Sequence, residues 1–208
     1  MTSIESVTLE VSEPTSADAF YADAFGLNGK VEVRASQAAT SGFRGYALSL
    51  VVSQPSTVDS LIGTALDAGA TTLKPPTKGF WGYGGVVLAP DGAIWKVATS
   101  SKKDSGPATR EFDDLVLLLG VADVKASKRF YVEQGLTVAK SFGSKYVEFG
   151  STPGHVKLAL YGRRALAKDA GVPEEGTGSH GIVLGSDAAA FTDPDGFAWE
   201  TARQRETR

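Results

Sequence analysis

The sequence contains no cysteine and only two histidines, His155 and His180, among its 208 residues. Without cysteine the chain cannot form disulfides, use a thiolate nucleophile or build a thiolate metal site. Two histidines likewise exclude a histidine-rich metal site. The lack of cysteine is typical of proteins from a reducing compartment, so we predict a cytoplasmic location.

The sequence also lacks a strong net charge and a long apolar run. A formal charge of -3 provides no basic surface for nucleic acid and no polybasic membrane anchor. No apolar segment approaches the roughly 18 residues of a transmembrane candidate, and no secretory signal is expected. With 42% apolar and 22% charged residues, a globular core is expected. The predicted partner is therefore a small molecule, and a homodimer is left open.

A Pro-Asp-Gly turn followed by a tryptophan and a charged residue occurs twice in the chain, about a hundred residues apart. Pro90-Asp91-Gly92 leads into a strand that carries Trp95-Lys96, and Pro194-Asp195-Gly196 leads into a strand that carries Trp199-Glu200. Proline and glycine at these positions are typical of a tight turn. Because strand residues alternate between faces, each tryptophan points away from the charged residue that follows it. We therefore predict that both tryptophans lie in the core.

The repeat extends to a helix in each half of the chain. Phe20-Tyr21 followed by Gly26-Leu27 recurs as Phe130-Tyr131 followed by Gly135-Leu136. We predict a first module over residues 1–99, a polar linker over 100–110 and a second module over 111–208. One helix layer cannot cover both faces of a small sheet, so the faces that carry polar residues are expected to line a cleft.

Together with Phe80-Trp81-Gly82-Tyr83, these motifs resemble the vicinal oxygen chelate superfamily, which includes glyoxalase I, bleomycin-resistance proteins and extradiol dioxygenases. The resemblance implies an α+β fold. In it, two tandem βαβββ modules form a cupped mixed β-sheet, with helices on the outer face and a small-molecule site inside.

The resemblance also places metal ligands on the first and last strand of each module. This sequence has Ser6, Lys96, Asp114 and Glu200 at those positions. A divalent ion needs at least three good nitrogen or oxygen ligands, whereas serine is a poor ligand and lysine brings a positive charge. We therefore predict no metal site and no other cofactor. Lys96 and Glu200 are expected to face each other on the cleft floor and, with Ser6 and Asp114, to contact a ligand.

Each of these polar residues has a simpler interpretation. Lys96 could be a solvated lysine at a strand end, and Asp114 a solvated carboxylate beside Asp113. His180 either forms hydrogen bonds locally at the start of a strand or faces the cleft as a ligand or base.

Trp81 and Tyr83 lie on a glycine-rich loop, where aromatic rings suit contact with a flat, partly apolar ligand. Packing across the module interface is the alternative for both residues. We expect both at the rim of the cleft.

Three functions fit these features. The first is a metal-independent binding protein of the glyoxalase/bleomycin-resistance type, which sequesters a flat or aromatic ligand between the modules. The second is an enzyme of the superfamily, a lyase, isomerase or dioxygenase, with Glu200 as base or metal ligand. The third is a regulatory or scaffold protein without chemistry. The fold alone does not decide among them, so whether the protein is an enzyme stays open.

Overall fold

The computed structural model describes residues 2–27, 29, 31–80 and 82–202. The helices in this part of the chain are α1 (Pro14–Phe25), α2 (Pro55–Asp67), α3 (Val124–Glu133) and α4 (Arg163–Ala170). The strands are β1 (Ile4–Val11), β2 (Val31–Ala35), β3 (Thr40–Gly42), β4 (Tyr46–Val51), β5 (Thr71–Gly79), β6 (Gly82–Leu88), β7 (Ile94–Thr99), β8 (Asp114–Val121), β9 (Val138–Phe142), β10 (Tyr146–Phe149), β11 (Lys157–Gly162), β12 (Gly176–Gly178), β13 (Ile182–Ser186), β14 (Phe191–Thr192) and β15 (Ala198–Thr201). None of these helices is long and apolar enough to cross a membrane.

Local sequence explains most helix boundaries. Helix α1 begins at Pro14, with Glu13 as its N-cap. Proline is favoured in the first turn because its missing N–H would have no partner there. Gly26 ends the helix in the left-handed conformation with φ 66°. Asp123 caps α3 by accepting two backbone N–H bonds, which lower the pKa of its carboxyl group.

The larger sheet has eight strands in the order β5-β6-β7-β4-β8-β11-β10-β9. It consists of two βαβββ units, residues 46–99 and 114–162. In each unit the first and last strands are parallel neighbours, and the units join through the antiparallel pair β4–β8. The predicted α+β fold with two βαβββ modules in a mixed sheet is confirmed.

A smaller sheet contains the beginning and the end of the described chain. Its order is β14-β15-β13-β1-β2, and β3 and β12 form a separate two-stranded ribbon. Each half of the chain therefore supplies a complete unit to the larger sheet and a shorter unit to the smaller one. Residues 100–110 connect β7 to β8 and contain neither helix nor strand.

The edge strand β5 runs through Pro75 and Pro76. Its pairing with β6 shows register shifts on either side of Lys74. Proline is tolerated on an edge strand because the outer side of that strand has no hydrogen bonds to lose.

The two faces of the larger sheet have separate cores. The face against α1, α2 and α3, which we call the outer face, contains Trp95. The opposite inner face packs against α4. Trp95 and Trp199 are 0% and 1% exposed, so their predicted core positions are confirmed.

Each tryptophan lies beside a tyrosine–aspartate hydrogen bond. The hydroxyl of Tyr21 donates to Asp91 at 2.5 Å, and that of Tyr131 donates to Asp193 at 2.6 Å. The tyrosine ring centroids lie 5.4 Å from Trp95 and 5.5 Å from Trp199. Each hydrogen bond ties a repeated helix to the turn before its tryptophan, through Asp91 inside the Pro-Asp-Gly turn in the first half and through Asp193 just before that turn in the second.

Candidate functional site

A row of four side chains crosses the centre of the inner face. Lys96 on β7 lies opposite Ser49 on β4, Ser49 opposite Val116 on β8, and Val116 opposite Lys157 on β11. Residues directly opposite each other on neighbouring strands share a face. Because the β4–β8 pair relates the two units symmetrically, Lys96 and Lys157 occupy equivalent positions.

Each lysine in this row is paired with an aspartate. The Nζ of Lys96 lies 2.6 Å from Oδ2 of Asp169 on α4, and the Nζ of Lys157 lies 2.6 Å from Oδ2 of Asp114 on β8. All four side chains are partly exposed, so solvent screens both pairs. Lys96 and Asp114 are thus held in ion pairs, not simply solvated.

Helix α4 covers part of the inner face. Leu166, Ala167 and Ala170 are buried in the core of that face. At the end of the helix, the Nζ of Lys74 donates to the backbone oxygens of Lys168 and Asp169 at 2.6 and 2.7 Å. A cation is favourable there because the last carbonyl groups of a helix lack helical partners. The helix packs on the inner face, whereas α1 to α3 pack on the outer face.

A cavity of about 290 Å³ lies beside the end of α4. Its lining residues come from β5, β6, β7 and α4, with Phe80 between the first two strands, and are Lys74, Thr77, Gly79, Phe80, Gly82, Tyr83, Gly84, Gly85, Val86, Lys96, Ala98, Thr99 and Asp169. Glycine forms much of one wall, and Phe80 is 82% exposed. The cavity therefore combines a flat wall, an aromatic ring and charged groups.

Tyr83 and Trp81 are the aromatic residues predicted at the rim of the cleft. Tyr83 borders this cavity, but its side chain points to the opposite face of β6 from that of Val86 and therefore lies on the outer face. There its hydroxyl donates to Asp59 on α2 at 2.8 Å. That hydrogen bond raises the pKa of the Tyr83 phenol and directs its hydroxyl away from Lys96. Trp81 lies outside the described residues.

The prediction that Lys96 and Glu200 face each other is wrong, because the two residues lie in different sheets. Glu200 on β15 accepts both bonds from Nη1 of Arg34 at 3.2 Å. Nη2 of Arg34 donates to Glu10 at 2.8 Å, and this bond is the main reason that the pKa of Arg34 is raised. Ser6 also lies in the smaller sheet, opposite Gly185.

The physical reason for this correction is strand pairing. We assumed that the strands of Trp95 and Trp199 close one shared sheet. Instead, β4 pairs with β8 at the centre of the larger sheet, and β15 pairs with β13 beside β1. The four polar residues predicted to share one site therefore lie in two places. Lys96 and Asp114 are in the larger sheet, whereas Ser6 and Glu200 are in the smaller sheet.

Neither place fits the metal ion that the resemblance implies. The first and last strands of the two complete units present Ser49, Lys96, Val116 and Lys157, so two ammonium groups stand where anionic or imidazole ligands are needed. In the smaller sheet Glu200 is already bound to Arg34. Within the described residues, no group of three or more histidine, aspartate or glutamate side chains could hold a metal ion.

A second cavity, of about 590 Å³, lies between the β3–β12 ribbon and the start of α4. Its polar groups already hold the surrounding loops. The nitrogens of His180 lie 2.6 Å from the backbone oxygen of Arg44 and 3.1 Å from that of Asp195. Arg163 donates to the backbone oxygens of Phe43 and Glu174. Both ring nitrogens of His180 thus lie within hydrogen-bond distance of backbone oxygens, one of which belongs to a residue 136 positions away in the sequence.

Sequence reasoning missed Lys157, Lys74 and Asp169. A signal for Lys157 was available, since Lys157-Leu158-Ala159 repeats the pattern of Lys96-Val97-Ala98. Nothing in the sequence pairs Asp169 or Lys74 with their partners, because those contacts join opposite halves of the chain.

The protein is similar in structure to solved proteins along nearly its whole length. Glyoxalase I from Zea mays is 13% identical with a TM-score of 0.64, and the match covers 96% of this chain and 91% of that one. A dioxygenase-like protein from Bacillus subtilis subsp. subtilis str. 168 is 12% identical with a TM-score of 0.61, covering 98% and 86%. No protein-family model and no curated protein matches the sequence. The chain therefore has the vicinal oxygen chelate fold that its motifs predicted.

Proposed function

We propose that this protein binds a small, flat, partly apolar molecule without a metal ion, in the cavity beside Lys96. The observation that carries the proposal is the pair of lysines in the row across the inner face, with a cavity next to one of them. Positive side chains oppose a divalent cation at this place and leave room for an organic ligand. This makes the protein a binding module of the glyoxalase/bleomycin-resistance type.

The shape of the cavity supports a flat ligand. Gly84 and Gly85 present backbone without side chains, and Phe80 offers an aromatic ring at the exposed end. Val86 and Ala98 supply apolar surface on the inner face. A volume of about 290 Å³ lies just below the usual range for ligand pockets, roughly 300–1,000 Å³, so the ligand is small.

Filling this cavity is expected to abolish binding. Ala98→Leu adds three carbon atoms to a wall of the cavity and should weaken binding of the flat aromatic probe cinnamate by at least about tenfold, about 1.4 kcal/mol. Ala198→Leu makes the same change on the polar face of the smaller sheet and should leave the affinity unchanged. Equilibrium dialysis of both variants measures the difference, and circular dichroism verifies that each is folded. Equal affinities of wild type and Ala98→Leu would place the site elsewhere.

Metal independence is tested separately. After exposure to zinc, manganese, nickel and ferrous ions followed by dialysis, we expect less than one equivalent of any of them, because neither ligand set suits a divalent ion. Elemental analysis gives the stoichiometry, and probe binding should be unaffected by a chelator. Stoichiometric metal that is lost in Glu200→Ala would contradict the proposal.

That contrary result would favour the alternative, a superfamily enzyme that uses Glu200. Glu200 is 54% exposed and shares a polar face with Ser6 and Glu10, which is the observation in its favour. Both carboxylate oxygens of Glu200, however, already accept hydrogen bonds from Arg34, so the group is engaged before any substrate arrives. We therefore place the function at the Lys96 cavity.

A further inference from the structure

The charged groups that line the Lys96 cavity do not cancel. Two lysines, Lys74 and Lys96, face a single carboxylate, Asp169, which leaves a net charge of +1 (two positive groups minus one negative). A net positive charge at the cavity wall favours an anionic ligand by Coulomb attraction, which solvent screens in part because the side chains of Lys96 and Asp169 are partly exposed.

Lys74 is the less neutralised of the two lysines. Its ammonium group donates to two backbone oxygens at the end of α4, and none of the ion pairs among the described residues includes it. A lysine ammonium has three N–H donors. Two of them donate to these oxygens, so the positively charged ammonium group has one N–H left to donate to a ligand.

Lys96 also has N–H groups that can donate to a ligand, and it contacts the side chain of Asp169, whereas Lys74 contacts the backbone oxygen of that residue. One of its N–H groups donates to Oδ2 of Asp169 at 2.6 Å. Its remaining donors border the same cavity, and the aspartate holds the lysine chain in place. The two ammonium groups therefore bracket the end of α4 and could share one anionic group.

Resting on the proposed function, we infer that the ligand is a small planar aromatic monoanion, a carboxylate or phenolate. Its anionic group lies between Lys74 and Lys96, and its ring lies along the glycine wall towards Phe80. Hydrogen bonds to a charged group are roughly twice as strong as neutral ones, so the anion fixes the ligand's orientation while the ring supplies apolar contact.

Cinnamate and cinnamamide test this inference, because they have the same shape and differ in charge. In equilibrium dialysis at neutral pH and low salt, cinnamate is expected to bind at least about tenfold more tightly than cinnamamide, in keeping with one charge-assisted hydrogen bond. In Lys74→Met and in Lys96→Met the affinity for cinnamate should fall to that for cinnamamide, while the affinity for cinnamamide changes less than about twofold.

Lys157→Met is the matched control. Lys157 occupies the position equivalent to Lys96 and forms an ion pair of the same length, but it does not line the cavity. This variant should keep the full preference for the acid. Thermal unfolding and circular dichroism of all three variants ensure that only folded proteins are compared.

Each result has a distinct meaning. Equal binding of the acid and the amide to the wild type overturns the anionic ligand and leaves the proposed function standing. A preference for the acid that survives in both Lys74→Met and Lys96→Met overturns the assignment of the anion to these lysines. Failure of both probes to bind overturns the proposed function together with this inference.

Discussion

Replacing Trp95 or Trp199 by alanine is expected to lower the free energy of unfolding by about 3–5 kcal/mol. Both rings are fully buried. The ring centroid of Trp95 lies 4.8 Å from that of Phe25, and Trp199 stacks on Phe191 at 5.0 Å. The loss includes the transfer of apolar surface to water and the cavity left behind, since neighbouring aromatic rings cannot fill the space of an indole.

Urea unfolding followed by circular dichroism measures this loss. Phe142→Ala is the control, because that phenylalanine is 65% exposed and its removal should change stability by no more than about 0.5 kcal/mol. If either tryptophan variant kept wild-type stability, the assignment of that ring to the core would be wrong. If Trp95→Ala stayed stably folded but lost probe binding, Trp95 would lie on the ligand-binding face of the sheet and not in the core.

The tyrosines of the native protein are expected not to ionise near their usual pKa of about 10. All six have a raised pKa, and burial is the main cause for five of them, with the Asp59 hydrogen bond first for Tyr83. Tyr21, Tyr46 and Tyr131 are fully buried. For Tyr21 and Tyr131, the negative charge of the aspartate that accepts the hydrogen bond of the phenol raises the pKa further.

The sign of the effect on stability follows from proton binding. Above pH 10 the unfolded chain releases phenol protons that the native protein retains, so the free energy of unfolding falls as pH rises. We expect phenolate absorbance to develop only together with the loss of circular dichroism, well above pH 10, whereas the protein in concentrated urea should titrate near its usual pKa of about 10. Ionisation of more than one tyrosine near that value in a folded protein would contradict the burial of these rings.

Much of the fold could be predicted because the determining signals are local. Apolar and polar residues alternate from Ile4 to Val11, which is the pattern of a half-buried strand, and β1 has these bounds. The repeated turns predicted hairpins and core tryptophans, and each follows from the conformations that a short segment can adopt.

Pairing between distant strands could not be predicted in this way. Alternation states which face a residue occupies, but it does not state which strand lies beside it. Lys96 and Glu200 were each assigned correctly to the face opposite their tryptophan, and they were still placed together wrongly. Asp169 was missed for the same reason, since its meeting with Lys96 depends on α4 crossing from the second half of the chain onto the first unit.

The pairing of β1 with β13 also determines the order in which the molecule can be assembled. Leu9 pairs with Ile182, so the smaller sheet cannot close until nearly the whole described chain is available. Contacts between residues so far apart in sequence form slowly, because the loop between them must lose its conformational freedom first. The two βαβββ units are more local and should fold earlier. During synthesis β1 therefore has one edge unpaired until β13 is made, and its apolar side chains Val7 and Leu9, which are buried in the folded protein, make this segment prone to aggregation.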